Sequence, residues 1–167
     1  MFRKFTKKTV VIVDSILVLI VGGILMSALI TQPDSAQSSG MIINPGYSTV
    51  LPKGKTIERL GGWQRVSPAG EDPVYAYSDT LNGVPISVSE QPLPTSFKND
   101  VAGAITNLAK AYNATNTVNV NGTTVYIGTS AKGPQSIIFT QNNLLILIKS
   151  QKTIDDTTWS NYIYTFS

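Results

Sequence analysis

Few side chains in this sequence are suited to covalent chemistry. The 167 residues include no histidine and no cysteine. This excludes the usual catalytic triads and any metal site built on thiolate or imidazole ligands. Ser130 and Lys132, in "GTSAKGPQS", have the residue types of a Ser–Lys dyad, in which the lysine activates a serine hydroxyl. A Gly/Pro-rich turn between two strands explains the same residues more simply, so a Ser/Lys-type hydrolase is only an alternative.

The carboxylates are scattered or adjacent. Glu71-Asp72 and Asp155-Asp156 are neighbours in sequence, and such neighbours point apart on a strand. At the start of a helix, the second pair would interact with the positive end of the helix dipole. No Asp-x-Asp-x-Asp spacing of a calcium loop appears. We therefore expect no catalytic residue, no metal ligand and no cofactor.

Gly54-Lys55-Thr56 matches the last three residues of a phosphate-binding P-loop. The full motif begins with a glycine five positions earlier, where this chain has Thr49, and Pro52 lies inside the would-be loop. The surrounding sequence does not predict the strand-to-helix turn that the motif needs. We interpret Lys53-Gly54-Lys55 as a turn and expect no bound nucleotide.

The strongest pattern precedes all of these residues. Residues 9–30 are almost entirely apolar, and about 20 apolar residues in a helix span the hydrocarbon core of a bilayer. Four cations, at Arg3, Lys4, Lys7 and Lys8, come before this run. Because such cations stay on the cytoplasmic side, the pattern predicts a single-pass helix with the N-terminus inside and the remainder outside. A cleaved signal peptide is the less favoured alternative, since its apolar region is usually shorter.

This topology divides the chain into a cytoplasmic tail (1–8), a transmembrane helix in contact with lipid (9–30), a flexible linker (31–45) and an extracytoplasmic domain (46–167). The net charge of +3 lies in residues 1–30, which hold four cations and one acid. Residues 31–167 hold nine of each. The external part is therefore neutral, and we expect no nucleic-acid partner.

Asp14 interrupts the apolar run. An intramembrane carboxylate costs several kcal/mol unless it lies near the interface or has a partner. We favour a position about one turn from the headgroups, close to Lys7 and Lys8; pairing with a partner helix is the alternative. If the mature chain began at Val10, Asp14 would occupy the fifth position, as the acid of pilins does. Thr9 replaces the Gly or Ala that a prepilin peptidase needs, so a pilin-like subunit is the weaker hypothesis.

The external domain has three hairpin signals. Asn82-Gly83, Asn121-Gly122 and Asn142-Asn143 each separate two β-prone runs, and Asn-Gly is the pair that type I′ turns favour. The run from Leu144 to Ile148 is apolar on both faces, which is typical of a central strand covered on both sides.

Two helices are also predicted. The first has Asn99 or Asp100 as N-cap and an apolar stripe from Val101 to Tyr112. The second has Asp155 or Asp156 as N-cap, followed by aromatic and aliphatic residues at helical spacing. The expected fold is α+β: one mainly antiparallel sheet with both helices on a face.

The aromatic residues Trp63, Tyr75, Tyr77 and Trp159 are the candidate partner contacts, although we expect at least two of them to pack in the core. The stretches "LPKGKTIERLGGWQRVSPAGEDPVYAYSD", "VSEQPLPTSF" and "TTVYIGTSAKGPQS" resemble the ectodomain of small single-pass bacterial envelope proteins. The resemblance implies a location and an architecture but no catalytic residues. We therefore expect a membrane-anchored binding or scaffolding module, with an envelope protein as its partner.

Overall fold

A computed structural model of the chain describes residues 44–130 and 133–166. The predicted tail, the transmembrane helix with Asp14, residues 31–43 of the linker, and Lys132 lie outside these ranges. The described residues form one antiparallel sheet of seven strands packed with two helices, which confirms the α+β class.

The order of the strands in the sheet differs from their order along the chain. They are β1 (Gln64–Arg65), β2 (Tyr75–Leu81), β3 (Val84–Pro92), β4 (Asn116–Val120), β5 (Thr123–Ser130), β6 (Gly133–Gln141) and β7 (Leu144–Ser150). The helices are α1 (Val101–Ala111) and α2 (Asp156–Tyr164), and a short 3-10 helix covers Thr95–Phe97. In the sheet the order is β1-β2-β3-β7-β6-β5-β4. The pairing of β3 with β7 joins residues distant in sequence.

The three predicted hairpins are confirmed. β2–β3, β4–β5 and β6–β7 are each joined by two residues, and both residues of every turn have positive φ. Asparagine tolerates this left-handed conformation better than most residues, and glycine adopts it without steric cost. The sequence of the turns therefore sets the register of the strands on either side.

β7 is the central strand and is buried along its whole length. Ile146 belongs to the core on one side of the sheet, and Leu147 belongs to the core on the other. The prediction of a doubly covered strand is thus confirmed.

The two helices lie on opposite faces, which corrects the prediction that both share a face. α1 packs on the side of Ile138 and Leu147, here called the α1 face. α2 packs on the opposite side with residues 44–63, an irregular segment that we call the strap; this side is the strap face. A strand that is apolar on both faces requires cover on both, and one helix on each face supplies it.

Side chains at both helix starts cap the backbone. Asp100 accepts a hydrogen bond from the Gly103 N–H (2.8 Å), and Asp155 accepts one from the Thr158 N–H (2.9 Å). α1 ends where Asn113 turns left-handed (φ 52°) and the Ala114 N–H donates to the Ala109 carbonyl (3.0 Å). Such a left-handed residue after a helix satisfies its last carbonyls.

Candidate functional site

The predicted aromatic contacts divide into core and edge residues. Trp63, Tyr77 and Trp159 are buried in the strap-face core, which confirms the expectation that at least two pack inside. The rings of Trp63 and Tyr77 meet edge to face, with centroids 5.1 Å apart. Tyr75 is half-buried, and its ring centroid lies 6.0 Å from that of Tyr47 in the strap. Of the four predicted contacts, Tyr75 is therefore the one whose side chain remains partly exposed to solvent.

The other predicted polar residues have local roles. Glu71 and Asp72 are exposed between β1 and β2. Asp155 is the N-cap of α2, and hydrogen bonds from Thr158 lower its pKa. Ser130 is the last residue of β5, and its side chain, like the whole of Lys132, lies outside the described part of the chain. Within residues 44–130 and 133–166, no three acidic side chains cluster closely enough to hold a metal ion.

The P-loop-like residues form a turn, as predicted. Gly54 has φ 81°, and the Lys55 N–H donates to the Pro52 carbonyl (3.0 Å). The Lys55 ammonium reaches both carboxylate oxygens of Asp79, at 2.5 and 2.7 Å. Lys55 thus forms an ion pair with Asp79 of β2.

Asp79 joins three elements through its nearly buried carboxylate. Besides Lys55 of the strap, it accepts a hydrogen bond from the Tyr162 hydroxyl of α2 (2.7 Å). Burial raises the pKa of Tyr162, and the Tyr77 and Asp79 side chains raise it further, so the phenol stays neutral. This cluster fixes the middle of the strap and α2 onto β2.

The most unusual group on the strap face is Glu90 of β3. Its exposed fraction is 0%. The Val50 N–H donates to Oε2 (3.1 Å), whereas Oε1 has no hydrogen-bond partner among the described residues. Tyr47 donates its hydroxyl to the Glu90 backbone carbonyl (2.5 Å). The strap is therefore attached to the sheet twice at this one residue.

Burial without a cation changes the acidity of Glu90. Desolvation raises its pKa from 4.5 to about 8, against the lowering effect of the Val50 N–H. A carboxyl with this pKa is mainly neutral at pH 7 and changes charge close to neutrality. The phenols of neighbouring Tyr47 and Tyr77 do not change charge near neutrality, because burial raises the pKa of each.

The α1 face contains a buried ionisable side chain of the basic type. Lys149 of β7 is 3% exposed, and its cross-strand neighbours are Ser87 of β3 and Ser136 of β6. The Lys149 ammonium lies 5.7 Å from the ring centroid of Tyr112, at the end of α1. Burial raises the pKa of Tyr112 to about 12. The serines next to this lysine are buried as well, so the row has the residue types of Ser–Lys chemistry but little access for a substrate.

Sequence reasoning missed Glu90 and Lys149, although a signal for Glu90 was present. Ile86 and Val88 alternate along β3 toward the strap face, and continuing the same alternation places Glu90 on that apolar side. An acid at an inward-facing position of an alternating strand predicts a buried carboxyl group. Lys149 directly follows the apolar run of β7 and shares its burial.

The fold and this site define an α+β domain in which an N-terminal strap closes over a buried acid. Comparison of the chain with protein-family models, curated proteins and solved structures finds no match. Within the described ranges, neither helix combines the length and apolar character needed to cross a membrane.

Proposed function

We propose that the protein is a membrane-anchored, extracytoplasmic binding or scaffolding module without catalytic activity. Residues 9–30 would anchor it in lipid, with the N-terminus cytoplasmic and an envelope protein as the partner. The cations at Arg3 to Lys8 before a long apolar run support the topology.

The proposal that the domain is not an enzyme rests on one observation: several of its acidic side chains are engaged in holding the fold together. Asp79 is tied to Lys55 and Tyr162, Asp100 and Asp155 cap helices, and Glu90 is sealed beneath the strap. An enzyme would place titratable groups in an open cleft, where a substrate can reach them. These groups support the domain instead.

Partly exposed aromatic side chains indicate where a partner would bind. Tyr75 and Tyr47 form a half-buried pair where the strap meets β2. Aromatic side chains that keep some exposure supply large contact area at small entropic cost. A second aromatic, Tyr164 at the end of α2, is 65% exposed. We assign the contact to the Tyr47–Tyr75 pair because its two half-buried rings lie together, with centroids 6.0 Å apart.

The edges of the sheet favour contact through side chains. The Thr80 N–H of β2 bonds with the carboxylate of Asp79 (2.7 Å), and the Thr117 N–H of β4 bonds with Asn116 Oδ1 (2.8 Å). β4 lies at one edge of the sheet, and β2 lies at the other beyond Ala76, where its pairing with the two-residue β1 ends. Each of these two edges therefore directs one backbone donor to its own preceding side chain. This reduces its capacity to pair with an added strand.

Site-specific photo-crosslinking in native membranes tests the contact. A photoreactive amino acid at position 75 should link the full-length chain to one protein, and the same group at position 164 should give no such product. Tyr75→Ala should abolish co-purification of that protein while the chain still melts cooperatively. Crosslinking from position 164 alone would contradict the assignment.

Two further measurements test the topology and the absence of catalysis. Protease added to intact spheroplasts should digest the C-terminal domain, whereas full protection would exclude the proposed orientation. Single substitutions of Glu71, Asp155, Ser130 and Lys132 should preserve the cellular phenotype. Loss of a hydrolytic activity in any one of them would instead establish an enzyme.

A further inference from the structure

Glu90 differs from the other described acids in having neither solvent nor a cation. Lys55 is committed to Asp79. Arg65 lies in the same cross-strand row as Tyr75 and Glu90, but its guanidinium bonds with Ser67 Oγ and with the carbonyls of Pro68 and Glu71. The chain has no histidine and no cysteine to titrate near neutrality. Glu90 is thus the described group best placed to change the charge of the domain there.

The groups that face Glu90 are neutral or apolar. The strap contributes the Tyr47 phenol and the Val50 N–H, and β2 contributes Tyr75 directly opposite and Tyr77 one row further. β7 contributes Ile146. The Asp79–Lys55 pair lies further along β2 and carries both signs. Among the described residues, the Val50 N–H is therefore the hydrogen-bond donor to the Glu90 carboxylate while the strap is closed, which is little stabilisation for an ionised group.

The attachments of the strap fall into two groups. Residues 47–50 are held at Glu90 through Tyr47 and Val50. The next residues are held elsewhere: the Lys53 N–H donates to the Thr165 carbonyl (2.7 Å), and Lys55 pairs with Asp79. A change at Glu90 therefore acts on the first part of the strap and leaves the second part in place.

From this arrangement we infer that Glu90 is a protonation-controlled latch for residues 44–50 of the strap. The neutral carboxyl allows these residues to close over β3. Ionisation favours their release, because only opening admits water to the carboxylate. Seven residues fully extended span about 25 Å. If residues 9–30 form the proposed anchor, release lengthens the connection between domain and membrane by up to about this distance.

The sign follows from the direction of the pKa shift. Closure raises the pKa of Glu90 above the 4.5 of an exposed glutamate, so the closed form binds the proton more tightly. The latch is therefore fully closed below about pH 4.5. It weakens as pH rises toward about 8 and changes no further once both forms are ionised.

Amide hydrogen exchange of the full-length chain in detergent micelles tests the latch. The Val50 amide donates to Glu90, and the Ile154 amide donates to Gln135 Oε1 (2.8 Å), which does not titrate. After correction for intrinsic exchange, protection of Val50 should fall by up to about tenfold per pH unit between pH 5 and pH 8. Protection of Ile154 should stay higher than that of Val50 at every pH, because its exchange requires wider unfolding than release of the strap. Glu90→Gln, which retains the acceptor but not the charge, should make protection of Val50 independent of pH.

Three outcomes would overturn the proposal. Protection of Val50 that stays constant or rises with pH would show that the ionised carboxylate holds the strap at least as well. Equal protection of Val50 and Ile154 at every pH would show that Val50 exchanges only when the whole domain unfolds, with no local latch. If Glu90→Gln does not fold, a carbon-13 titration of the wild-type Glu90 carboxyl decides, and an ordinary glutamate pKa would exclude the latch.

Discussion

The two faces of the sheet bury an acidic and a basic side chain on neighbouring strands and enclose them differently. On the α1 face, Lys149 lies between two serines and beneath the ring of Tyr112. On the strap face, Glu90 has one backbone donor, and its other oxygen lacks a partner among the described residues. The lysine is covered by the end of a capped helix, whereas the acid is covered by irregular chain.

This difference separates a fixed face from a responsive one. A helix held by its own hydrogen bonds and by an N-cap keeps its position without help from the charge beneath it. The first part of the strap has no such internal support, and its described side-chain bonds to the sheet meet at Glu90. Equal burial therefore does not imply an equal role: the enclosure decides whether a buried charge can act as a switch.

The largest expected effect applies to both faces together. Ile146→Asp places an unpaired charge under the strap, and Leu147→Asp places one under α1. An unpaired buried charge costs several kcal/mol even after relaxation, against a total stability of about 5–15 kcal/mol. Both variants should fail to fold, as judged by circular dichroism and cooperative melting. A cooperatively melting Ile146→Asp chain would show that β7 is not central.

A smaller effect distinguishes the fixed face from the strap. A Cβ at Gly128 of β5 would lie 2.5 Å from the Tyr112 carbonyl oxygen and 2.6 Å from Ala114 Cα, so Gly128→Ala must displace the end of α1. We expect a loss of about 1–3 kcal/mol in the free energy of unfolding, measured by urea titration. Gly46→Ala in the strap is the control, since nothing lies within 4 Å of its Cβ. Equal stability of the two variants would mean that α1 does not press on β5.

The smallest effect compares the two helix caps. Asp100→Ala on α1 and Asp155→Ala on α2 each remove a carboxylate that accepts a hydrogen bond from a first-turn N–H. Each should lower the free energy of unfolding by about 1 kcal/mol. Asp155 also accepts the Thr158 hydroxyl (2.7 Å), so its variant should lose slightly more. Urea titration of the two variants in parallel measures this difference, and a stabilised Asp155→Ala chain would contradict the capping role.

Local signals predicted the local structure well. The Asn-Gly turns identified two hairpins, and Asp100 and Asp155 marked both helix starts, because a turn or a cap depends on a few adjacent residues. The apolar run from Leu144 to Ile148 identified the central strand for the same reason. These features need no knowledge of the remaining fold.

The candidate site depends on contacts that are distant in sequence. Val50 and Glu90 are 40 residues apart, and Tyr47 and Glu90 are 43 apart. The sequence of the strap has no periodic pattern that predicts how it packs on the sheet. The pairing of β3 with β7 depends on the arrangement of the whole sheet. Alternation along β3 directs Glu90 toward the apolar side, but only the strap determines whether it is sealed there.

The pH dependence of stability tests the central claim that the strap face responds to protonation. The free energy of unfolding of the full-length chain in detergent micelles would be measured by urea titration from pH 5 to pH 9, for the wild type and Glu90→Gln. One unit of pKa shift corresponds to about 1.4 kcal/mol. Because closure raises the pKa of Glu90 to about 8, the wild type should lose a few kcal/mol between pH 5 and pH 8 and then level off. Glu90→Gln should remain nearly constant over this range. A wild-type stability that is constant or rises with pH, or an equal decline in Glu90→Gln, would contradict the account.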